Sequence, residues 1–157
     1  GAQMVKLEGG AVMASTIEQL TARGIPVCAH LGLLPQSVHR VGGYRVQGRD
    51  AETADELISD AIALQEAGAD MVVLECVPAE LATKITNTLT IPVIGIGAGS
   101  QCDGQVLVLY DMLGLTPGKR PRFSYDFLAD TGGIQSAIAK YVIDVKSGQF
   151  PTLEQQY

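Results

Sequence analysis

The stretch Gly68–Glu75, with the sequence Gly-Ala-Asp-Met-Val-Val-Leu-Glu, decides the fold of this chain. A close copy stands at Gly1–Glu8, and each copy leads through a helix-like stretch to Ile-Pro-Val, at residues 25–27 and 91–93. An apolar strand that ends in a carboxylate, followed by a helix and a second strand, is a βαβ unit. The repeated unit predicts an α/β protein with a parallel sheet. Because the helix before the second copy has no counterpart before the first, we expect the chain to be part of a larger barrel.

The β-strands are predicted from short apolar runs that alternate with helical patterns. Four strands are predicted at Met4–Glu8, Val27–His30, Met71–Glu75 and Val93–Ile96. We expect the last barrel strand at Val106–Tyr110; a short helix at Asp103–Val106 is the alternative.

The helices are predicted from apolar residues three and four apart, with glycine after the last turn. They run over Ala11–Arg23, over Ala54–Ala67, from Pro78 onward, and over Ile134–Lys146. The third helix should turn Leu81, Ile85 and Leu89 inward. The last should bury the stripe Ile134, Ile138, Tyr141, Val142 and Val145.

Composition and charge exclude several classes of function. The 157 residues are 46% hydrophobic and 18% charged, which suits one α/β domain with strands covered on both faces. A net charge of −6 argues against nucleic acid as a partner. No apolar run reaches the ~18 residues of a membrane span, so we expect no membrane partner. The three cysteines, Cys28, Cys76 and Cys102, lack metal-like spacing and are predicted to be free thiols of a reducing, cytoplasmic protein.

Two segments depart from the regular alternation of strands and helices. Residues 31–49 are too long for an ordinary connection and predict an active-site lid, with a hairpin turning at Gly42-Gly43. A structural excursion without a lid function is the alternative. Gly95–Ser100 follows a strand and predicts a loop that lets a ligand approach the backbone, although it is not a dinucleotide fingerprint.

Polar side chains stand at the carboxyl ends of three predicted strands. Lys6 and Glu8 share one face of the first strand, His30 ends the second, and Glu75 ends the third. In each strand the apolar members come first, as expected of an inward-facing barrel strand whose upper end carries an active site. A carboxylate between apolar neighbours has its ionised form disfavoured, which suits Glu75 as a general base.

Each of these residues also has a purely structural interpretation. Lys6 and Glu8 could form a structural ion pair, His30 could be a satisfied core histidine, and Glu75 could cap the helix that starts near Pro78. The combination of the four at equivalent strand ends favours the functional interpretation.

Several long motifs resemble those of one known family. The chain resembles ketopantoate hydroxymethyltransferase (3-methyl-2-oxobutanoate hydroxymethyltransferase) along its whole length. The motifs are Val5–Gly10, Pro26–Ser37, Gly42–Arg49, Leu74–Pro78, Ile94–Gly99 and Asp103–Val108. The resemblance implies a (βα)8 TIM barrel of the phosphoenolpyruvate/pyruvate type, with residues 1–157 as the C-terminal portion of that single domain, about strands 4 to 8 plus the terminal helices.

The resemblance also implies an activity. It is the transfer of a hydroxymethyl group from 5,10-methylenetetrahydrofolate to 3-methyl-2-oxobutanoate through a Mg²⁺-stabilised enolate, giving 2-dehydropantoate in pantothenate and coenzyme A biosynthesis. Carried over by motif, Glu8 would help to hold Mg²⁺, Lys6 and His30 would bind the oxo acid, and Glu75 would accept the proton. A homo-oligomer is expected, since the family commonly forms decamers.

One departure from the family pattern bears on activity. In the family, an Asp-Ser pair and a further Asp supply the other metal and substrate contacts, from strands that precede the part represented here. The 157 residues alone are therefore expected to be inactive. The alternatives are another Mg²⁺-dependent oxo-acid barrel enzyme, such as a carbon–carbon lyase, or an inactive half-barrel module.

Overall fold

The computed structural model describes residues 1–37, 43 and 45–157 of the chain. The hairpin predicted about Gly42-Gly43, and the middle of the lid predicted at residues 31–49, lie outside these described residues. The two ends of the predicted lid are described. Its first residues extend the second strand, and Pro35–Ser37 form a short 3-10 helix.

The core of the fold is a parallel sheet of five strands that lie in the order of the sequence, β1-β2-β3-β4-β5. The strands are β1 Val5–Glu8, β2 Val27–Gly32, β3 Met71–Glu75, β4 Val93–Ile96 and β5 Gly104–Gln105. The four strands predicted from apolar runs are confirmed, with ends that differ by at most two residues. A parallel sheet with helical connections is the arrangement that the repeated βαβ unit predicts.

Six α-helices accompany the sheet in the described part of the chain. They are α1 Ala14–Thr21, α2 Ala51–Glu66, α3 Ala79–Thr88, α4 Leu109–Met112, α5 Phe127–Thr131 and α6 Ile134–Lys146. A 3-10 turn at Ala11–Met13 leads into α1, and another lies at Leu153–Gln155. The prediction for α6 is confirmed at both ends. Asp50 caps α2 by accepting the Thr53 N–H at 2.9 Å, so this helix begins three residues earlier than its apolar pattern.

Alternate residues of each strand face opposite layers. Val27, Ala29 and Leu31 of β2, with Val72 and Leu74 of β3, pack in one apolar core with Ile17, Leu64 and Ile85 from the helices. The predicted inward row Leu81, Ile85 and Leu89 of α3 lies in the same core. Because side chains alternate along a strand, the intervening residues of β1–β3 face the opposite side of the sheet. The polar side chains that end these strands therefore lie on the face away from α1, α2 and α3.

An aspartate before a strand completes the hydrogen bonding at the start of the preceding strand. Asp70 directly precedes β3, and its Oδ2 accepts the N–H of Val27, the first residue of β2, at 2.8 Å. Asp103 directly precedes β5 and accepts the N–H of Val93, the first residue of β4, also at 2.8 Å. These carboxylates satisfy backbone donors at the amino ends of the strands, opposite the candidate site.

The prediction of a last strand at Val106–Tyr110 is wrong, and so is the alternative helix at Asp103–Val106. β5 comprises Gly104–Gln105, and α4 starts at Leu109. The ladder extends only one step further, where the Val106 N–H donates to the Gly95 carbonyl at 3.0 Å. An apolar run of this length suits a strand and a helical turn equally, so periodicity does not distinguish them.

The stripe predicted for α6 is only partly buried. Ala137 is buried, and Tyr141 and Val145 pack against the second core, which includes Phe127 and Phe150. In contrast, Ile134, Ile138 and Val142 are 56%, 40% and 42% exposed. The rings of Phe127 and Tyr141 meet edge-on with centroids 5.5 Å apart, and this aromatic contact orients α6 about the row 137, 141 and 145.

Candidate functional site

The three polar strand ends meet at one edge of the sheet. In the parallel register Glu8 of β1 pairs with His30 of β2, and Gly32 of β2 pairs with Glu75 of β3. His30 is the central residue of the cluster because its strand lies between the other two. The prediction that Lys6, Glu8, His30 and Glu75 lie close together is thereby confirmed, while their chemical roles stay predictions.

His30 contacts each of the other three side chains. The Lys6 Nζ lies 3.1 Å from the His30 Nδ1 and 3.2 Å from the Glu8 Oε1. The Glu8 Oε1 is also 3.5 Å from the His30 Nδ1, and the Glu75 Oε2 is 3.1 Å from the His30 Nε2. His30 is 3% exposed, both carboxylates are largely buried, and Lys6 is about half exposed.

The contact with Lys6 determines which ring nitrogen of neutral His30 carries the hydrogen. A lysine ammonium group can only donate, so the Nδ1 must accept and the Nε2 must carry the N–H. The Nε2–H lies within ion-pair distance of Glu75, but it is aimed too obliquely for an aligned hydrogen bond, and it is buried without an aligned acceptor among the described residues. A buried donor of this kind lacks a partner in the described part of the chain, and an oxygen atom of a ligand would satisfy it.

The purely structural interpretations of these four residues explain only part of the contacts that the structure shows. The Lys6–Glu8 ion pair exists, at 3.2 Å. Glu75 does not cap α3: the N-cap position is Pro78, and no side chain caps this helix. His30 is a buried histidine with one nitrogen hydrogen-bonded and the other without an aligned partner. The cluster is therefore more than a set of satisfied core groups.

Cys76, which directly follows Glu75, has a backbone conformation that the sequence does not signal. Its φ is 50°, in the left-handed region that favours glycine. Its N–H donates to the Ile96 carbonyl at 2.9 Å, and its own carbonyl accepts the Gln47 N–H at 2.9 Å. The Leu33 N–H donates to the Glu75 carbonyl at 2.8 Å. The backbone of the Glu75–Cys76 turn is thus held by three neighbouring segments.

Two of the three cysteines, Cys28 and Cys76, are buried, and Cys102 is partly buried. Cys28, Cys76 and Cys102, all of which the structure describes, form no disulfide. Burial raises the pKa of the Cys76 thiol to about 12, and the nearby Glu75 carboxylate adds to the rise. Burial also raises the pKa of the Cys28 and Cys102 thiols. The prediction of free thiols is confirmed for the chain as described.

The glycine loop at the end of β4, residues 95–100, packs closely against other parts of the protein. A Cβ on Gly95 would lie 2.9 Å from the Cys102 Sγ, and one on Gly97 would lie 2.8 Å from the Phe123 ring. Gly97 and Gly99 also have φ of 63° and 81°. Packing and backbone conformation therefore account for these glycines without a ligand, and the predicted ligand approach at this loop stays a prediction.

Comparison with known proteins supplies the family. The sequence profile described as ketopantoate hydroxymethyltransferase matches residues 1–153. This chain belongs to that family. Its relatives include 3-methyl-2-oxobutanoate hydroxymethyltransferases of Nitrosococcus oceani, 66% identical over 157 residues, and of Vibrio cholerae, 60% identical over 153 residues. These alignments cover 100% and 98% of this chain, and 60% and 58% of the respective relatives.

The chain thus spans about 60% of the length of the curated ketopantoate hydroxymethyltransferases that it matches. A third relative, from Tolumonas auensis, is 60% identical over 157 residues and shows the same coverage of 60%. Within the described residues, no helix combines the length and the apolar character needed to cross a membrane.

The magnesium ion implied by the family resemblance can be tested against the donor atoms of this chain. The Glu8 Oε2 is buried and has no hydrogen-bond donor among the described residues, so it offers a hard anionic oxygen of the type that Mg²⁺ prefers. No group of three or more histidine, cysteine, aspartate or glutamate side chains in the described part of the chain is arranged to hold a metal. Glu8 would fit as one ligand of such an ion, and the described residues supply no set of three side-chain ligands.

Proposed function

We propose that the complete protein containing this chain transfers a hydroxymethyl group from 5,10-methylenetetrahydrofolate to 3-methyl-2-oxobutanoate. The products would be 2-dehydropantoate and tetrahydrofolate, on the route to pantothenate and coenzyme A. One observation carries the proposal. In a chain of this family, the Glu75 carboxylate lies in one cluster with Lys6, Glu8 and His30 at the carboxyl ends of β1–β3, and the Glu75 Oε2 is 3.1 Å from the His30 Nε2. This arrangement combines a base, a cation and a buried N–H donor.

The five parallel strands would be part of a (βα)8 barrel of the phosphoenolpyruvate/pyruvate type. The polar residues stand at the carboxyl ends of β1–β3, where active sites of such barrels lie. The remaining strands would come from the part of the relatives that this chain does not span. The missing contacts to metal and substrate would come from the same part, so we expect residues 1–157 alone to be inactive.

Glu75 would act as the base that removes the hydrogen from C3 of the oxo acid. The C3–H bond breaks, the proton passes to a carboxylate oxygen of Glu75, and the electron pair moves toward the oxo oxygen to give an enolate. A positioned base contributes roughly 10²–10⁴-fold to such a step. The placement of Glu75 beside a buried imidazole fits this role, because the ring restricts where the carboxylate can lie.

Lys6 and His30 would bind the oxo acid. The Lys6 ammonium group is half exposed and supplies a positive charge for the substrate's negative oxygens. The buried His30 Nε2–H supplies a donor of fixed direction, because Lys6 occupies the Nδ1. A donor that is already oriented costs no reorganisation when charge develops during the reaction.

Glu8 would provide one ligand for Mg²⁺ through its Oε2. The ion, when bound, stabilises the negative charge that develops on the oxo oxygen. The C3 carbon would then bond to the one-carbon unit of the folate, whose two bonds to the folate nitrogens break. One water molecule supplies the oxygen of the new hydroxyl group, and the two folate nitrogens take up one proton from that water and the one that Glu75 removed from C3. A cytoplasmic homo-oligomer is part of the same proposal.

The proposal is tested by the consumption of 3-methyl-2-oxobutanoate by the complete protein. We expect consumption that depends on 5,10-methylenetetrahydrofolate and that falls by at least ~10²-fold in Glu75→Gln. The exposed Glu80, in the first turn of α3, provides the matched control, and Glu80→Gln should retain full activity. Consumption without the folate would favour a lyase instead. Absence of consumption by the unmodified protein would reject the proposal.

A further inference from the structure

The segment Thr152–Tyr157 packs beside the turn that follows Glu75. The segment is folded by its own hydrogen bonds: the Thr152 N–H donates to the Gln155 Oε1 at 3.0 Å, and the Glu154 N–H donates to the Thr152 Oγ1 at 3.2 Å. It lies against the start of α3 and the glycine loop, since a Cβ on Gly99 would lie 3.1 Å from the Gln156 Oε1. An ordered segment therefore borders the candidate base.

Tyr157 is held at three points. Its carbonyl accepts the N–H of Ala79, the first residue of α3, at 2.9 Å. The Arg122 guanidinium carbon lies 5.7 Å from the centre of the tyrosine ring, a cation–π distance. The Arg122 Nε donates to the Glu154 carbonyl at 3.0 Å, which fixes the arginine in turn. The ring of Tyr157 packs on the second core, which includes the buried Cys76 side chain.

Cys76 is the residue through which Tyr157 can act on Glu75. A left-handed φ at a residue other than glycine persists only where the surroundings enforce it. The backbone of Cys76 is held by Ile96 and Gln47, while its side chain is 4% exposed and belongs to the second core on which Tyr157 packs. Removal of the tyrosine ring would leave a gap at the second core, so the left-handed turn at Cys76 would lose part of the packing that supports it.

We propose that Tyr157 is a positioning residue for Glu75, acting through the left-handed turn at Cys76. The inference rests on the proposed function, in which Glu75 takes a proton from the substrate. The carboxylate needs a defined place because it must reach both the substrate and the His30 ring, 3.1 Å away. A misplacement of about 1 Å by a distant mutation can cost ~10²-fold in rate.

The test is Tyr157→Ala in the complete protein. The readout is exchange of the C3 hydrogen of 3-methyl-2-oxobutanoate for deuterium in D₂O without folate, which reports proton removal alone. We expect exchange to slow by ~10- to 100-fold, with little change in the KM for the oxo acid. Tyr157→Phe retains the ring over Arg122 and should recover most of the rate. Leu153, 80% exposed in the same segment, gives the control Leu153→Ala, which should exchange at the full rate.

A second measurement separates this inference from the proposed function. Crystal structures of the complete protein and of its Tyr157→Ala variant would be compared. In the variant, the Glu75 Oε2 should lie farther from the His30 Nε2 than the 3.1 Å of the unmodified protein. If the unmodified protein exchanges no hydrogen, the proposed function fails, and the position of Glu75 in the variant still decides the inference. An unchanged 3.1 Å contact, or full exchange by Tyr157→Ala in an active enzyme, would overturn the positioning role.

Discussion

The His30 Nε2 lies 3.1 Å from the Glu75 Oε2, so the two side chains are in contact at the carboxyl ends of the neighbouring strands β2 and β3. The ring is 3% exposed, and its other nitrogen accepts from Lys6. The candidate base therefore lies against a histidine whose orientation is set by a second strand.

Loss of the His30 ring should impair the base without unfolding the protein. We expect His30→Ala to lower kcat by ~10- to 100-fold, because Glu75 loses the group that restricts it and the substrate loses a fixed donor. His30→Gln, whose amide can donate near the position of the Nε2, should recover part of the rate. Steady-state kinetics and thermal unfolding would be measured together. Equal loss in both variants, with an unchanged melting temperature, would contradict the orienting role.

Lys6 should contribute mainly to binding of the oxo acid. Lys6→Met removes the charge and retains most of the apolar stem, so we expect KM for the oxo acid to rise by ~10- to 100-fold, which corresponds to about 1.5–3 kcal/mol for a hydrogen bond to a charged group. The exposed Lys119, in the loop before α5, gives the control Lys119→Met. An unchanged KM in Lys6→Met would remove this residue from the binding site.

Asp70 should stabilise the fold at the end of the sheet opposite the site. Asp70→Ala leaves the Val27 N–H without its acceptor, at a cost of about 1–3 kcal/mol in the free energy of unfolding. Asp55 lies exposed on α2, and Asp55→Ala should change stability by less than about 0.5 kcal/mol. Denaturant unfolding measures both. Equal stability of the two variants would show that the carboxylate does not support the strand.

Stability should fall at alkaline pH because of Cys76. Burial raises the pKa of its thiol from an ordinary value near 9 to about 12 in the folded chain. A raised pKa means that the folded state keeps a proton that the unfolded state has lost, so stability is complete below about pH 9 and declines toward pH 12. Cys76→Ala should weaken this decline. Burial of Tyr141 acts in the same direction, since it raises the pKa of that phenol to about 12. An identical pH dependence with and without Cys76 would contradict the assignment.

The parts of the fold set by local patterns are predicted well from sequence. β3 and β4 match their predictions at both ends, because each apolar run is bounded by residues that stop a strand. The convergence of Glu8, His30 and Glu75 follows from strand periodicity and parallel register, both of which the sequence carries.

The parts set by contacts distant in sequence are not predicted. Nothing in the sequence marks Cys76 for a left-handed φ, a conformation for which glycine is the usual signal. Cys76 and Tyr157 are far apart in the chain, and their shared place in the second core leaves no periodic pattern. The misplaced last strand has another origin: the run at Val106–Tyr110 is apolar, yet only Leu107 within it is buried, so apolar character alone does not mark it as a strand.

The most direct measurement of the central claim is hydrogen–deuterium exchange at C3 of 3-methyl-2-oxobutanoate, catalysed by the complete protein with Glu75→Gln. The account predicts that this variant binds the oxo acid but catalyses almost no exchange, while Glu80→Gln exchanges at the full rate. Exchange by Glu75→Gln at the rate of the unmodified protein would show that the proton goes to another group, and the assignment of Glu75 as the base would be wrong.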